Sequence, residues 1–467
     1  MKKCAWFVFL LMAVSYAQNK QILYGFTEIP QSLLQNPGGK THNDWYFGIP
    51  LLSHIHANGG SSGVTVYDLF AVDGKDFNTK LEEVVYRLRP TDFFTFNQQL
   101  EILSGGFAFG PSYDKNEYIS FGLYQEVDAI LYFPKDYAKL VYEGNQNNIN
   151  RPFRLDHLNG TSELISVLHI GYNKVVNDKF TYGIRGKVYS SITNVNSVSN
   201  TGTFITVNGD NNAYDHIFDL DLSLKTSGLV NLTMDSDFEM KDITKQLLFG
   251  SNLGLGIDLG FSYNIDKHWY LDGSLLDFGF IRHRKHVENY ELKGNYVFEG
   301  INPIFPEVGS GQTADEYWTA IEEEFSNLFT LDTTRTKYTT WRPIKLNSSL
   351  NYAFGKKVSK ECDCTFDDSG YLNRVGIQLY AINRPKLPQV ALTTYYYRRL
   401  LNGLSVKAAY TLDSYSFTNI GLGMSAQLGG VNFYIMADNF LNFKNIYNAQ
   451  SLSLQLGINY IFTNDED

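Results

Sequence analysis

Residues 452–462 read LSLQLGINYIF, and this stretch decides the fold. Its even positions are all apolar or aromatic, and its odd positions are Ser, Gln, Gly and Asn except for Ile461. Because successive side chains of a β-strand point to opposite faces, a period of two predicts a strand with one apolar and one polar face. Residues 253–265 repeat the pattern, with apolar odd positions alternating with Gly, Asp258, Ser262 and Asn264.

The same alternation recurs along the chain, at residues 119–133, 180–188, 375–381, 404–412 and 420–428. A soluble β-sandwich also alternates, but three features favour lipid as the apolar environment. The strands are longer than the five or six residues usual in globular sheets. Their polar faces carry Gly, Ser, Asn and isolated charges, which suits a wet lumen. Aromatic residues stand at predicted strand ends, as in a membrane girdle: Phe133, Trp269, Tyr270, Tyr460 and Phe462.

The sequence therefore predicts an all-β protein, a transmembrane antiparallel barrel of about 14–16 strands. Aromatic residues make up 15% of the chain and charged residues only 19%, yet the mean hydropathy is −0.22, so apolar and polar residues must be finely interleaved. After residue 17 no apolar run approaches the length of a membrane helix, and a closed barrel is the other structure that satisfies its backbone in lipid.

The first 17 residues have the pattern of a secretory signal peptide. Lys2 and Lys3 precede a short apolar run, and Ser15-Tyr16-Ala17 supplies small residues before cleavage at Gln18. A membrane anchor would need a longer run. Removing both lysines takes the net charge from −10 to −12, because the chain has 39 Lys and Arg against 49 Asp and Glu. An exported acidic chain predicts no nucleic-acid partner.

Three parts follow from this organisation: the signal peptide at 1–17, a plug-like segment at 18–60 and a barrel at 61–467. The first barrel strand is predicted near 61–69, and residues 201–208 and 215–224 are counted as two further strands. Short turns fall at one end of the barrel and the long connections 134–163, 225–250 and 282–344 at the other, the expected inner and outer sides. Helical spacing predicts short helices at 76–89 and 315–329, in outer loops.

The candidate site residues are polar side chains of the predicted lumen and loops, together with one cysteine pair. The sequence predicts no catalytic set, metal or cofactor. His54 and His56 share a face, but two ligands are too few for a tight metal site. Cys362 and Cys364 could form a strained disulfide. Arg282, Arg284 and Lys285 form a basic group that could contact lipopolysaccharide phosphates, with a solvated loop as the alternative. The predicted lumen charges, which could tune solute passage or hold the plug, are Glu126, Asp128, Arg185, Lys187 and Lys407.

A family resemblance rests on the start of the mature chain. Residues 29–38 read IPQSLLQNPG, residues 45–53 read WYFGIPLLS, and GSSG at 60–63 precedes YDLF at 67–70. With the barrel pattern behind it, this chain resembles an uncharacterised family of outer-membrane barrels from Bacteroidota, a domain of unknown function. The Asn-Pro-Gly element is similar to the Asn-Pro-Ala start of PorP/SprF-like barrels associated with type IX secretion. More distantly, the architecture resembles FadL-like barrels, which carry hydrophobic molecules past an N-terminal hatch.

Two functional hypotheses follow for a non-enzymatic outer-membrane protein. The first is a channel or carrier for a small, possibly hydrophobic, solute. The second is a non-transporting barrel that scaffolds a surface or type IX secretion-associated assembly, as the PorP/SprF resemblance implies. Its partners would be outer-membrane lipid and lipopolysaccharide, together with envelope or secretion-complex proteins in the second case. Conductance in a planar bilayer separates the two hypotheses.

Overall fold

The computed structural model describes residues 20–110, 115–209, 214–228, 252–299, 313, 318–319, 331–357, 371–413, 415 and 417–462. The predicted signal peptide and the cysteine pair lie outside these residues. No helix within the described ranges has both the length and the apolar character needed to cross a membrane.

The described strands form a closed antiparallel barrel of 14 wall strands, which confirms the predicted fold. The chain's strands are numbered β1 to β20 in order. The short strands β1 (Trp45–Gly48) and β2 (Ile55–Ser61) together occupy one wall position. The other thirteen positions are, in order around the wall, β3 (Phe93–Phe109), β4 (Glu117–Tyr132), β6 (Gly160–Asn177), β7 (Phe180–Asn208), β9 (Asn252–Asn264), β10 (Trp269–His283), β14 (Lys345–Lys357), β15 (Tyr371–Ile382), β16 (Gln389–Leu401), β17 (Leu404–Leu412), β18 (Asn419–Leu428), β19 (Val431–Asp438) and β20 (Ser451–Phe462). Each pairs with the next, and β20 pairs with β1 and β2 to close the ring.

The wall position shared by β1 and β2 corrects the predicted domain boundary. Residues 45–61 belong to the barrel, so the plug-like segment ends before Trp45 rather than at residue 60. The region 61–69 is not a strand, because Val66–Phe70 is a helix. Between β1 and β2 the chain bulges out of the wall, and the exposed Leu51 and Leu52 form the tip of the bulge.

In the wall, apolar side chains are exposed on the outside and polar side chains are buried inside, which is the reverse of the distribution in a soluble protein. In β20 the outward residues Leu454, Tyr460 and Phe462 are 37%, 43% and 38% exposed, whereas the inward Gln455 and Asn459 are fully buried. In β9 Leu255 is 60% exposed while Asp258 is buried. The even–odd alternation of the sequence thus places its apolar face outside and its polar face in the lumen.

Aromatic side chains border the end of the barrel where the short turns lie, which we call the turn end. Trp45 stacks on Phe462 with ring centroids 3.7 Å apart, and Trp269 and Tyr460 are also exposed there. Tyr270, which the sequence placed in the same girdle, instead turns inward and is buried. Its parity decides this, since neighbouring residues of a strand face opposite sides.

The opposite end, the loop end, carries the remaining elements. Helix α1 (Val66–Phe70) and helix α2 (Phe77–Arg87) follow β2, and α2 confirms the helix predicted at 76–89. The region 315–329 lies largely outside the described residues. The other elements at this end are α3 (Lys135–Glu143), β5 (Phe153–Arg154), β8 (Tyr214–Ser227), β11 (Val287–Phe298), β12 (Asp332–Thr334), β13 (Tyr338–Trp341) and the 3-10 helices Gln146–Asn148, Phe440–Lys444 and Ile446–Asn448.

An extra sheet at the loop end explains why two predicted wall strands are wrong. Residues 180–191 of β7 pair with β9 in the wall, and residues 194–208 continue beyond it to pair with β8. The predicted strands 201–208 and 215–224 are therefore the outer half of β7 and part of β8, and β8 pairs in turn with β11. Alternation alone does not distinguish a strand in the wall from one above it.

Candidate functional site

We call residues 20–44 the lumen segment. Residues 20–40 lie inside the barrel, and residues 41–44, among which His42 is exposed, lead to β1. Most of the side chains from Lys20 to Pro37 are buried. The segment contains one short 3-10 helix, Pro30–Leu34, which begins at a proline as helices commonly do. Asn36 then accepts a hydrogen bond from the Gly38 N–H at 2.9 Å, which fixes the Asn-Pro-Gly turn. The plug predicted from the sequence thus occupies the lumen.

An apolar cluster holds the first part of the lumen segment against the wall. Ile22, Leu23, Phe26 and Ile29 are buried together, and Phe26 meets Tyr397 edge-to-face with ring centroids 5.5 Å apart. The wall side chains in this cluster are Tyr395, Tyr397, Ala409, Tyr434 and Met436. This packing is confined to one side of the lumen, because the cluster's wall residues come from β16, β17 and β19.

Wall cations hold the backbone of the lumen segment. Lys407 donates to the carbonyls of Ile22 and Tyr24 at 3.1 and 2.7 Å, and Arg374 donates to the carbonyl of Gly25 at 2.6 Å. A segment made mostly of turns leaves carbonyls without partners of its own, and a buried carbonyl without a partner is costly. The cations of β15 and β17 supply these partners.

Neutral wall groups hold the Asn-Pro-Gly turn in the same way. Asn173 donates to the carbonyls of Pro37 and Gly39, both at 2.8 Å, and Ser262 donates to that of Gly38 at 2.9 Å. The Asn-Pro-Gly turn also lies very close to the wall strand β7. A Cβ added at Gly183 would lie 1.9 Å from the Pro37 carbonyl oxygen. Glycine in β7 therefore permits the close approach of this turn.

The middle of the lumen holds a continuous set of ion pairs, which we call the charge network. Lys187 lies 2.8 Å from Asp258 and 2.6 Å from Asp277, and Lys345 lies 2.8 Å from Asp277 and 3.1 Å from Glu126. Four cations and four anions take part, so the set is neutral: Arg185, Lys187, Arg342, Lys345, Glu126, Glu163, Asp258 and Asp277.

The charge network bridges the lumen rather than following one strand. Glu126 lies on β4 and Lys345 on β14, five positions apart around the wall, so their 3.1 Å contact crosses the interior. Arg185 also links the network to the lumen segment, because it pairs with Asp258 at 3.1 Å and donates to the carbonyls of Leu33 and Leu34. Buried charges need such partners, since a charge left alone inside a protein is strongly destabilising.

All five predicted lumen charges are buried inside the barrel. Glu126, Arg185 and Lys187 meet in the charge network, Asp128 pairs separately with Arg384 at 2.9 Å, and Lys407 binds the lumen segment. Their effect on solute passage stays a prediction. The partners of these charges were not predicted. Asp258 stood on a visible polar face, whereas Asp277 lies at a β-bulge with φ +60° and Arg342 lies between strands, where alternation gives no signal.

The surroundings shift the pKa values of Lys20 and Glu28, an amine and a carboxylate of the lumen segment. Burial lowers the pKa of Lys20 to about 7, against an opposing effect of Glu126. Burial alone would raise the pKa of Glu28, but Arg374 and the hydrogen bond from Tyr397 outweigh it, and the pKa of Glu28 falls below its ordinary value. Lys20 also donates to the side chain of Gln99.

A strip of polar side chains on β2 and β20 lines the lumen beside this segment. His56 pairs across the strands with Gln455, and both are buried with side-chain polar atoms that lack a hydrogen-bond partner among the described residues. Asn58 and Ser453 form the next such pair. His54 is also buried and binds Tyr434 through Nδ1 at 2.7 Å. Within the described residues, no three His, Cys, Asp or Glu side chains are grouped to hold a metal ion.

The remaining predicted residues lie outside the lumen or outside the described chain. Arg282, Arg284 and Lys285 are exposed at the loop end of β10, and Arg282 lies over the ring of Phe280 at 5.4 Å. Contact of this group with lipopolysaccharide stays a prediction. Cys362 and Cys364 fall outside the described residues, so their predicted disulfide also stays a prediction.

Comparisons with known proteins give one family and several distant structures. The model of a family of unknown function, DUF5723, matches residues 37–438. No curated protein matches this chain. The solved structures that it is similar to include the toluene transporter TbuX of Ralstonia pickettii, with a TM-score of 0.43 at 9% identity over 97% of this chain and 100% of that one. A FadL homologue of Pseudomonas aeruginosa gives a TM-score of 0.44 at 9% identity over 96% and 100% of the two chains.

Proposed function

We propose that this chain, which belongs to the DUF5723 family of unknown function, is a non-enzymatic outer-membrane barrel that carries a small solute past a movable lumen segment. The observation that carries this proposal is the lumen segment itself. It is one continuous piece of chain that lies in the lumen beside the charge network and continues into the wall only at Trp45.

The outer surface of the wall supports a membrane location. Its exposed side chains are large and apolar over many strands, as in Leu255, Ile377 and Ile435, which are 60%, 53% and 47% exposed. Such a continuous apolar band is costly in water and is matched by the hydrocarbon of a bilayer. A closed barrel leaves no strand edge in that band, which is the condition for crossing lipid with strands. The loop end then faces the cell exterior.

The lining of the lumen indicates the class of solute. Many inward side chains are polar, including His56, Gln455, Asn97 and Gln99, and the apolar wall side chains around Tyr397 are covered by the lumen segment. A polar, hydrogen-bonding lining favours a small solute with hydrogen-bonding groups over a purely hydrophobic one. The charge network is neutral overall, so it favours neither cations nor anions.

A reversible tether of the lumen segment tests the proposal. Gln378 donates to Gln21 at 2.8 Å, so cysteines at both positions can be joined by a short reducible thiol crosslinker. Cys362 and Cys364 are first replaced by Ser. We expect liposomes that contain the Gln21→Cys, Gln378→Cys barrel to swell in small neutral solutes, to stop when tethered and to recover on reduction. Crosslinker on the single Gln378→Cys variant is the matched control.

The outcomes also separate the two functional hypotheses. Swelling that continues at the same rate after tethering contradicts a movable segment. A barrel that never supports swelling, although it is folded by its shift in gel mobility on boiling, contradicts carriage and leaves the scaffold of a surface or secretion-associated assembly.

A further inference from the structure

A cavity of about 430 Å³ opens at the loop end, away from the lumen segment and the charge network. It lies between the α1–α2 region and the loops that precede β18 and β20. Seven polar side chains give the cavity its chemistry: Thr65, Asp68, Arg87, Thr418, Asn442, Asn448 and Gln450. The volume is within the range of small-molecule sites in proteins.

Local structure holds one side of this cavity in place. Thr65 and Asp68 form a reciprocal cap at the start of α1, in which each side chain accepts from the other's backbone N–H. Asp68 also pairs with Arg87 at the end of α2, at 3.0 Å. These contacts fix a carboxylate and a guanidinium side by side at the cavity.

The other side of the cavity is built by the loop between β19 and β20. The Ser61 N–H donates to the carbonyl of Gln450 at 2.7 Å, which ties this loop to the end of β2. Asn442 donates to the side chain of Asn439 at 2.9 Å, within the 3-10 turns of the same loop. The two sides are thus joined through the barrel wall, and the cavity is a fixed part of the rim.

The side chains that line the cavity can form hydrogen bonds, and together they carry no net charge. The amides of Asn442, Asn448 and Gln450 each offer both donors and acceptors, whereas the hydroxyl of Thr65 is already bonded to Asp68. The charge of Asp68 is balanced by Arg87, so neither an anion nor a cation is favoured. None of the side chains that line the cavity is a large apolar one, which disfavours a hydrophobic ligand.

Exposed aromatic rings stand next to the lining residues in the chain. Tyr67, Phe417 and Tyr447 are 45%, 70% and 68% exposed, and they adjoin Asp68, Thr418 and Asn448 respectively. An aromatic ring offers a flat apolar surface, and Tyr adds a polar tip. The amide and hydroxyl groups of the lining match a ligand with many hydroxyl groups.

We infer that this cavity binds a neutral saccharide at the outer rim. The hydroxyl groups of a sugar ring can donate to Asp68 and to the amide oxygens, and accept from Arg87 and the amide N–H groups. The inference does not depend on solute carriage, because the cavity lies outside the lumen.

Titration calorimetry of the full-length barrel in detergent tests this site, with maltose, lactose, cellobiose and sucrose as probes. We expect at least one disaccharide to bind with a dissociation constant of about 0.1–10 mM. Asn448→Leu and Gln450→Leu should each weaken that binding about tenfold, because each removes hydrogen bonds to the ligand. Asn295→Leu, an exposed change on β11, is the matched control and should leave binding unchanged.

Two results would overturn the inference. One is the absence of binding by all four probes up to 50 mM, roughly the weakest affinity such a site could show, in a barrel that is folded by its gel mobility. The other is equal weakening by the control variant, or tighter binding of glucuronate or glucosamine than of the neutral sugars. The last outcome means that the cavity recognises charge. Tether experiments on the lumen segment do not affect any of these results.

Discussion

The lumen segment and the charge network both fill the barrel interior, but they are attached in different ways. The lumen segment is one stretch of chain, and many of its contacts are hydrogen bonds from wall side chains, such as Lys407 and Asn173, to its backbone carbonyls. The charge network has its members on β4, β6, β7, β9, β10 and β14 and in the residues just before β14. The proposed function requires the lumen segment to leave as a unit, whereas the charge network cannot change without its wall strands.

We therefore expect the lumen segment to act as a movable gate and the charge network to act as a fixed structural support. Contacts to backbone carbonyls can be exchanged for contacts to water when the lumen segment moves, because the donors are hydrated once the lumen is open. Each ion of the charge network is almost fully buried, and exposing it requires the wall itself to open. Solute passage should therefore depend on the lumen segment, whereas the stability of the barrel should depend on the charge network.

Removal of the lumen segment is expected to have the largest effect on conductance. Deletion of residues 20–40 takes away the apolar cluster partners and the Asn-Pro-Gly turn, so water should enter the inner half of the lumen. We expect ion conductance in planar bilayers to rise at least about tenfold over the intact chain, a change in barrier of about 1.4 kcal/mol. Gel mobility before and after boiling checks that the barrel still folds. A folded deletion variant with unchanged conductance would mean that the charge network is itself the seal.

The charge network should govern stability instead. Lys187→Met leaves Asp258 and Asp277 without a shared cation inside the barrel, and breaking a buried pair costs about 3–5 kcal/mol. We expect the denaturation midpoint in detergent to fall accordingly, with little change in conductance. Lys75→Met is the control, because Lys75 and Glu83 are an exposed pair and their loss should not be measurable. Equal midpoints for both variants would contradict a bracing role.

Adding a single methyl group at Gly183 should displace the lumen segment without changing the charge network. Gly183→Ala adds a Cβ that would lie 1.9 Å from the Pro37 carbonyl oxygen, so the Asn-Pro-Gly turn must move. Such overpacking costs about 1–3 kcal/mol. We expect faster cleavage of the lumen segment by added protease. Gly186→Ala is matched in strand and chemistry but meets nothing within 4 Å, and it should be cleaved at the wild-type rate. Faster cleavage in both variants would locate the effect in the strand rather than in the turn.

The barrel could be predicted from sequence because alternation is a property of single strands. It identified wall strands directly, as in β4, β9, β17 and β20, and the family of unknown function predicted from the mature start is confirmed by the match to residues 37–438. The Bacteroidota origin and the PorP/SprF likeness stay predictions. The first wall strand was missed for a physical reason. In β2 the outward positions include Ala57 and Gly59 rather than large apolar residues, and the bulge at Pro50 breaks the period.

The candidate site was predicted only as far as single side chains. Glu126, Arg185 and Lys187 stood on polar faces, so their burial in the lumen followed from parity. Their pairing did not, since Glu126 meets Lys345 across the lumen from a strand five positions away. Such contacts depend on register and barrel closure. Asp277 enters the network through a bulge that reverses the expected face, which no periodic pattern reports.

A pH series offers the most specific test of the comparison, because Lys20 belongs to the lumen segment and not to the wall. Burial lowers its pKa to about 7 from an ordinary value of 10.5, so the docked segment binds a proton less tightly than the free one. Docking should be flat below pH 7 and should strengthen from pH 7 towards pH 10, by up to about tenfold, or 1.4 kcal/mol, per pH unit. The rate of thiol modification at Gln21→Cys measures release, corrected for the reactivity of a free cysteine peptide at each pH, in a chain whose Cys362 and Cys364 are Ser. Lys20→Met should abolish the slope, and Lys75→Met should retain it. A corrected rate that is independent of pH between 7 and 9 in the Lys20 chain would show that this amine is hydrated, and that the lumen segment does not exclude water from its first turn.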